Sequence, residues 1–110
     1  MSDKNVVFVS GTASVGKDGK TMYKGNFSKQ TDLMFRNVTE VLRASGMDWH
    51  NVVKTTIYIR DIDRDYDEFN RIRKSFYDSL GLNPYPASVC VEARLCRNDL
   101  LVEMEAIAIR

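Results

Sequence analysis

A chain of 110 residues, 44% hydrophobic and 28% charged, has the composition of an ordinary folded domain and is long enough to bury one modest core without staples. Sixteen basic and fifteen acidic residues leave a net charge of +1, which excludes any general electrostatic attraction to nucleic acid or to an anionic membrane. No apolar run approaches the roughly 20 residues that span a bilayer, and Met1 to Asn5 hold no signal-peptide hydrophobic region, so a single cytoplasmic domain over residues 1–110 is expected.

Residues 6–10, V-V-F-V-S, read as a short strand ending at Gly11. Asp18-Gly19 is a hairpin signal, and residues 21–24 are expected to return from it as a second strand. The stretch Gly11-x4-Gly16-Lys17 is a near miss to a phosphate-binding loop. Such a loop needs Ser or Thr next and then a helix; here Asp18 and Gly19 follow, so the glycine-rich hairpin is the reading.

The first helix is expected from a cap at Ser28 or Thr31 to about Ser45. Leu33, Met34, Phe35, Val38, Val41 and Leu42 recur at three-and-four spacing, and Gly46 suits its C-terminus. His50, the only histidine, stands beside Trp49 in a connector with no evident partner, so no general-base role is assigned to it. Residues 52–60 are rich in β-branched side chains and read as the strongest internal strand. The aspartates at 61, 63 and 65 lack the glycine and glutamate of a calcium loop; Asp63 or Asp65 is read as the cap of a second helix, which runs from residue 64 or 65 to 80. Tyr66, Phe69, Ile72, Phe76, Tyr77 and Leu80 form its apolar stripe. Arg71, Arg73 and Lys74 read as a solvated face.

The last quarter holds both prolines and both cysteines. It reads as a hairpin: a strand at 88–95, a turn at Arg97-Asn98-Asp99, and a strand at 100–109. In the last strand Val102, Met104, Ala106 and Ala108 share one face; Leu101, Glu103, Glu105, Ile107 and Ile109 share the other. Two carboxylates on a largely apolar face need partners. Cys90 and Cys96 are expected to be reduced thiols. The order β-β-α-β-α-β-β predicts an α+β fold, one mixed sheet with two helices on one face. The other sheet face, carrying Tyr58, stays open, which points to self-association.

The motifs P-A-S-V-C-V-E and L-V-E-M-E-A-I-A, with V-S-G at 9–11, Gln30-Thr31 and V-V-K-T-T-I-Y-I-R-D at 52–61, resemble the YjgF/Rid family, also called L-PSP endoribonucleases. The resemblance implies a chorismate-mutase-like fold, a homotrimer with a central barrel, and ligand clefts between subunits. Archetypal members hydrolyse reactive enamines and imines such as 2-aminoacrylate. An arginine clamps the substrate carboxylate as a bidentate pair while a carboxylate positions the attacking water. By this resemblance Glu103 and Ser10 are the catalytic candidates. Ser88, Cys90 and Arg94 are the ligand-binding candidates, with no cofactor and no metal.

Two departures stand out. The family's P-A-R arginine is here Ser88, which cannot replace a rigid fork of donors. The family's N-terminal G-P-Y segment does not occur in this sequence. Arg94 has the strand parity of Ser88 and would share its face, yet six strand residues put it about 20 Å away. Each candidate also has a plainer reading: Ser10 ends a strand, Glu103 pairs with Arg94 or a lysine, and Cys90 is a small buried hydrophobe. The functional expectations are therefore an imine deaminase, a non-catalytic metabolite-binding trimer, or, weakest, an endoribonuclease.

Overall fold

The alternation of the last strand decides where the core lies. In a computed structural model, which describes residues 5–110, Val102, Met104, Ala106 and Ala108 are all buried beneath the helices. Glu103, Glu105, Ile107 and Ile109 face away from them, as the period of two demands.

Among the described residues the chain forms β1 (Val6–Ala13), α1 (Phe27–Ala44), β2 (Val52–Ile59), α2 (Ile62–Ser79), β3 (Ala87–Glu92) and β4 (Val102–Ile109), with one 3-10 turn at Trp49–Asn51. The sheet order is β1-β4-β2-β3. β4 is antiparallel to both β1 and β2, whereas β3 is parallel to β2. The expected α+β class, a mixed sheet with two helices on one face, is the observed one.

The expected C-terminal hairpin is not. β3 and β4 never pair, because β2 lies between them. The unit β2-α2-β3 is a crossover that returns β3 parallel to β2 at the sheet edge. The chain between residues 92 and 102 then carries it across β2 to the central slot. The expected strand at 21–24 is also missing. Gly19 turns the chain at φ 79°, but only a Val15–Thr21 bridge forms, and Tyr23 (φ 57°) and Gly25 (φ 76°) break any extended run. β1 instead continues to Ala13 through a bulge between Val9 and Thr12.

Both helices start earlier than the capping pattern suggests. Asn26 caps α1 by accepting the Lys29 N–H at 3.0 Å, so Ser28 and Thr31 lie inside the helix. Asp61 caps α2 by accepting the Arg64 N–H at 3.1 Å, leaving Asp63 and Asp65 as first-turn acids that suit the helix dipole. Gly46 and Gly81 follow the helix ends at positive φ, where the Met47 and Leu82 N–H groups close back on Leu42 and Tyr77.

Met34, Phe35, Val38 and Leu42 of α1 and Phe69, Ile72 and Tyr77 of α2 bury themselves against Ile57, Ile59, Val102 and Met104. Val41 and Tyr66, assigned to the apolar stripes, are largely exposed. Gln30 of the Q-T pair is fully buried. Its side chain donates to the Asp99 carbonyl and accepts the Leu101 N–H, each at 2.8 Å, which ties α1 to the start of β4.

Candidate functional site

The open sheet face holds two shallow depressions side by side. One, of about 360 Å³, is lined by Phe8, Ser10, Lys54, Thr56, Glu105 and Ile107. The other, of about 260 Å³, is lined by Gly11, Tyr58, Arg94, Cys96, Glu103 and Glu105. Glu105 is common to both.

Glu103 stands across from Tyr58 in the β2–β4 register. Its carboxylate lies over the backbone of Gly11: a Cβ built there would come within 2.6 Å of Oε2. The glycine of V-S-G is therefore the residue that lets this carboxylate fold down against β1. Partial burial raises the Glu103 pKa above the usual carboxylate value, and the neighbouring Glu105 charge adds to the effect. Glu105 is exposed and accepts a hydrogen bond from the Tyr58 hydroxyl at 2.7 Å, which pushes the phenol pKa up. Glu103 makes no ion pair among the described residues, so the expected alternative of a structural pair with Arg94 or a lysine does not form. A carboxylate so placed holds its proton to a higher pH than an ordinary surface glutamate, the direction a proton-transferring group needs.

Ser88 and Cys90 are elsewhere. They pair with Thr55 and Ile57 in the parallel β2–β3 register and share their face, toward the helices. Within one chain they are thus on the opposite side of the sheet from Glu103. Cys90 packs against the core, and burial pushes its thiol pKa up while the nearby Arg73 charge pulls the other way. The thiol, half-buried, therefore stays protonated near neutrality. Both cysteines are free. Arg94 does not share a face with Ser88. β3 ends at Glu92, so strand parity lapses, and Arg94 swings to the depression that holds Glu103.

Ser88 has a partner that the sequence reading missed. Arg73 of α2 donates from Nη1 to Ser88 Oγ at 3.1 Å and from Nη2 to Asn70 Oδ1 at 2.8 Å; its guanidinium lies over the Phe69 ring, 5.1 Å from the centroid. The expected solvated face is thus only partly solvated. The signal was available: Phe69, Arg73 and Tyr77 are four residues apart and share one stripe of the helix.

The mixed sheet, the two helices and the carboxylate over V-S-G define a class, and comparison with known proteins specifies it. Residues 1–110 match the family described as endoribonuclease L-PSP, and the chain belongs to that YjgF/Rid family. A RutC family protein of Pyrococcus abyssi is 31% identical over 94% of this chain and 78% of its own length. The human 2-iminobutanoate/2-iminopropanoate deaminase is 28% identical over 94% of this chain and 72% of its own length. Among solved structures, E. coli YjgF superposes with a TM-score of 0.85 at 30% identity, covering 96% of this chain and 81% of that one. E. coli TdcF with bound serine gives a TM-score of 0.85 at 32% identity, covering 96% and 80%.

Proposed function

We propose that this chain is a hydrolase of small 2-imino acids, working from a cleft completed by a second copy of itself. The observation that carries the reading is Glu103: a half-buried carboxylate with a raised pKa and no ion-pair partner among the described residues, laid over Gly11 in a surface depression. Two relatives support the substrate class. One is named as a deaminase of 2-iminobutanoate and 2-iminopropanoate, and the other holds serine, a small amino acid.

The chemistry needs no cofactor. Water adds its oxygen to the imine carbon, and Glu103 takes the departing water proton and passes it to the nitrogen. The resulting carbinolamine loses ammonia and becomes the 2-oxo acid. An enamine such as 2-aminoacrylate first shifts a proton to carbon and enters as 2-iminopropanoate. Ser10, in the adjoining depression, is a polar contact for water or substrate.

The assembly follows from placement. Ser88 and Glu103 lie on opposite faces of one sheet, so a site containing both draws them from two copies. β3 is a sheet edge, and the open face exposes Val6, Phe8 (73%), Val89, Val91 and Ile109. An apolar face of this kind suits burial in a closed homotrimer. A metabolite-binding trimer without turnover is the competing reading, favoured by the serine at position 88. The endoribonuclease reading has only the family's description behind it.

The test is pyruvate release from enzymatically generated 2-aminoacrylate, with and without the protein, alongside sedimentation analysis. Acceleration well above the uncatalysed rate by a trimeric species is expected. No acceleration at any protein concentration would remove the hydrolase reading and leave the binding one.

A further inference from the structure

We propose that Arg73 supplies the carboxylate-binding guanidinium of the cleft, delivered from α2 to the position over Ser88. This rests on the reading that the cleft takes small 2-imino acids. Substrates of that class carry a carboxylate beside the reacting carbon, and a bidentate guanidinium is the group best suited to orient it. β3 offers only a serine there, but the helix behind it offers the fork.

Three contacts hold the Arg73 side chain: Ser88 Oγ, Asn70 Oδ1 and the Phe69 ring. The two hydrogen bonds engage two of the five N–H donors of a guanidinium. The other donors and the positive charge are unclaimed, since no carboxylate pairs with Arg73 among the described residues. Ser88 accepts from Arg73, which leaves its hydroxyl proton to point at a second acceptor. The Thr55 hydroxyl, beside Ser88 in the register, and the Tyr77 hydroxyl, one turn beyond Arg73, are buried without partners. The two lie near each other but do not meet hydrogen-bond geometry. Two further polar groups share this face of β3: Cys90, whose thiol pKa burial pushes up, and Glu92, whose carboxylate is turned to the start of α2, where it accepts the Ile62 N–H at 3.2 Å rather than pairing with Arg73. Because β3 is the sheet edge, a guanidinium above Ser88 is reachable from a neighbouring copy that brings its own Glu103.

The experiment is calorimetric titration of wild type, Arg73→Ala, Arg73→Lys and the double variant Arg73→Ser/Ser88→Arg with 2-oxobutanoate and with its uncharged methyl ester. Wild type is expected to prefer the acid. Arg73→Ala should weaken acid binding by about 10- to 100-fold, the range of a charge-assisted hydrogen-bonded pair, and leave ester binding unchanged. Arg73→Lys should recover part of the loss, and the double variant, which returns the guanidinium to β3, most of it. In turnover the loss should fall mainly on KM, because the carboxylate is held alike in ground and transition states. Equal acid binding by wild type and Arg73→Ala, or a wild type that does not distinguish acid from ester, overturns the proposal. The two readings fail separately. Normal pyruvate release with an unchanged KM in Arg73→Ala removes the Arg73 role and keeps the hydrolase. Acid binding through Arg73 without turnover keeps the Arg73 site and removes the hydrolase.

Discussion

Replacing Gln30 by leucine keeps the volume and removes the polar clamp between α1 and the start of β4. Three hydrogen bonds go, but they do not weigh equally. The contact to the Tyr23 carbonyl is long, 3.3 Å, and that carbonyl also accepts the Asn26 N–H at 3.0 Å. The bonds to Leu101 N–H and Asp99 O, both 2.8 Å, are the substantive ones. Their net loss is about 2 kcal/mol, and stranding the Leu101 N–H where Gln30 admitted no water adds about 1–3 kcal/mol. The leucine returns roughly 1–2 kcal/mol of apolar burial. The balance is a destabilisation of about 2–3 kcal/mol, which for a domain of this size lowers Tm by roughly 8–15 °C. Thermal unfolding followed by circular dichroism measures it, with urea titration to confirm a lower midpoint at unchanged slope. A fall in Tm under about 3 °C would refute the assignment of Gln30 as the clamp.

Glu103→Gln should lower kcat/KM for the imine by about 10²–10⁴-fold, the usual range for a general base. In wild type, activity requires the carboxylate, so it should rise with pH through the Glu103 pKa, with an acid limb above the ordinary value of 4.5; a limb that survives in the variant assigns it to another group. Gly11→Ala should push the Glu103 carboxylate off β1 and cut turnover about tenfold or more, with unfolding little changed because a flexible side chain can give way; unchanged turnover would show that this placement is immaterial. Glu68 accepts hydrogen bonds from Arg71 and Ser28, which hold its pKa down to about 2, so its stabilisation is present above 4.5 and lost as pH falls toward 2. Glu68→Gln should therefore melt about 2–4 °C below wild type at pH 7 and level with it near pH 2; an equal gap at both pH values would contradict the ion-pair account.

What the sequence made legible was periodicity. The alternation of the last strand and most positions of the two helix stripes name buried side chains because burial itself imposes the period; Val41, Tyr66 and Leu80 are the stripe positions left exposed. Pairing is another matter. A strand pattern says which residues share a face, not which strand lies beside it, so the expected strands at 88–95 and 100–109 read as a hairpin although β2 separates them. Caps were misplaced because several residues near each helix start can cap, and only the geometry selects Asn26 and Asp61. Motif resemblance singled out Glu103 and Ser10, and the structure puts both in depressions of the open face. It could not locate Arg73, which matches no motif position and reaches Ser88 from another element. Arg94 was misjudged because parity holds only while a strand lasts, and β3 stops at Glu92.

The single tryptophan gives the molecule an internal reporter. Trp49 is buried in an aromatic cluster with Phe35, Phe76 and Tyr77, its indole N–H bonded to Thr39 at 2.9 Å. It therefore touches both helices. Its emission should redden when the helical layer comes away from the sheet. One spectroscopic channel thus follows the packing of the helical layer on the sheet without labelling the protein.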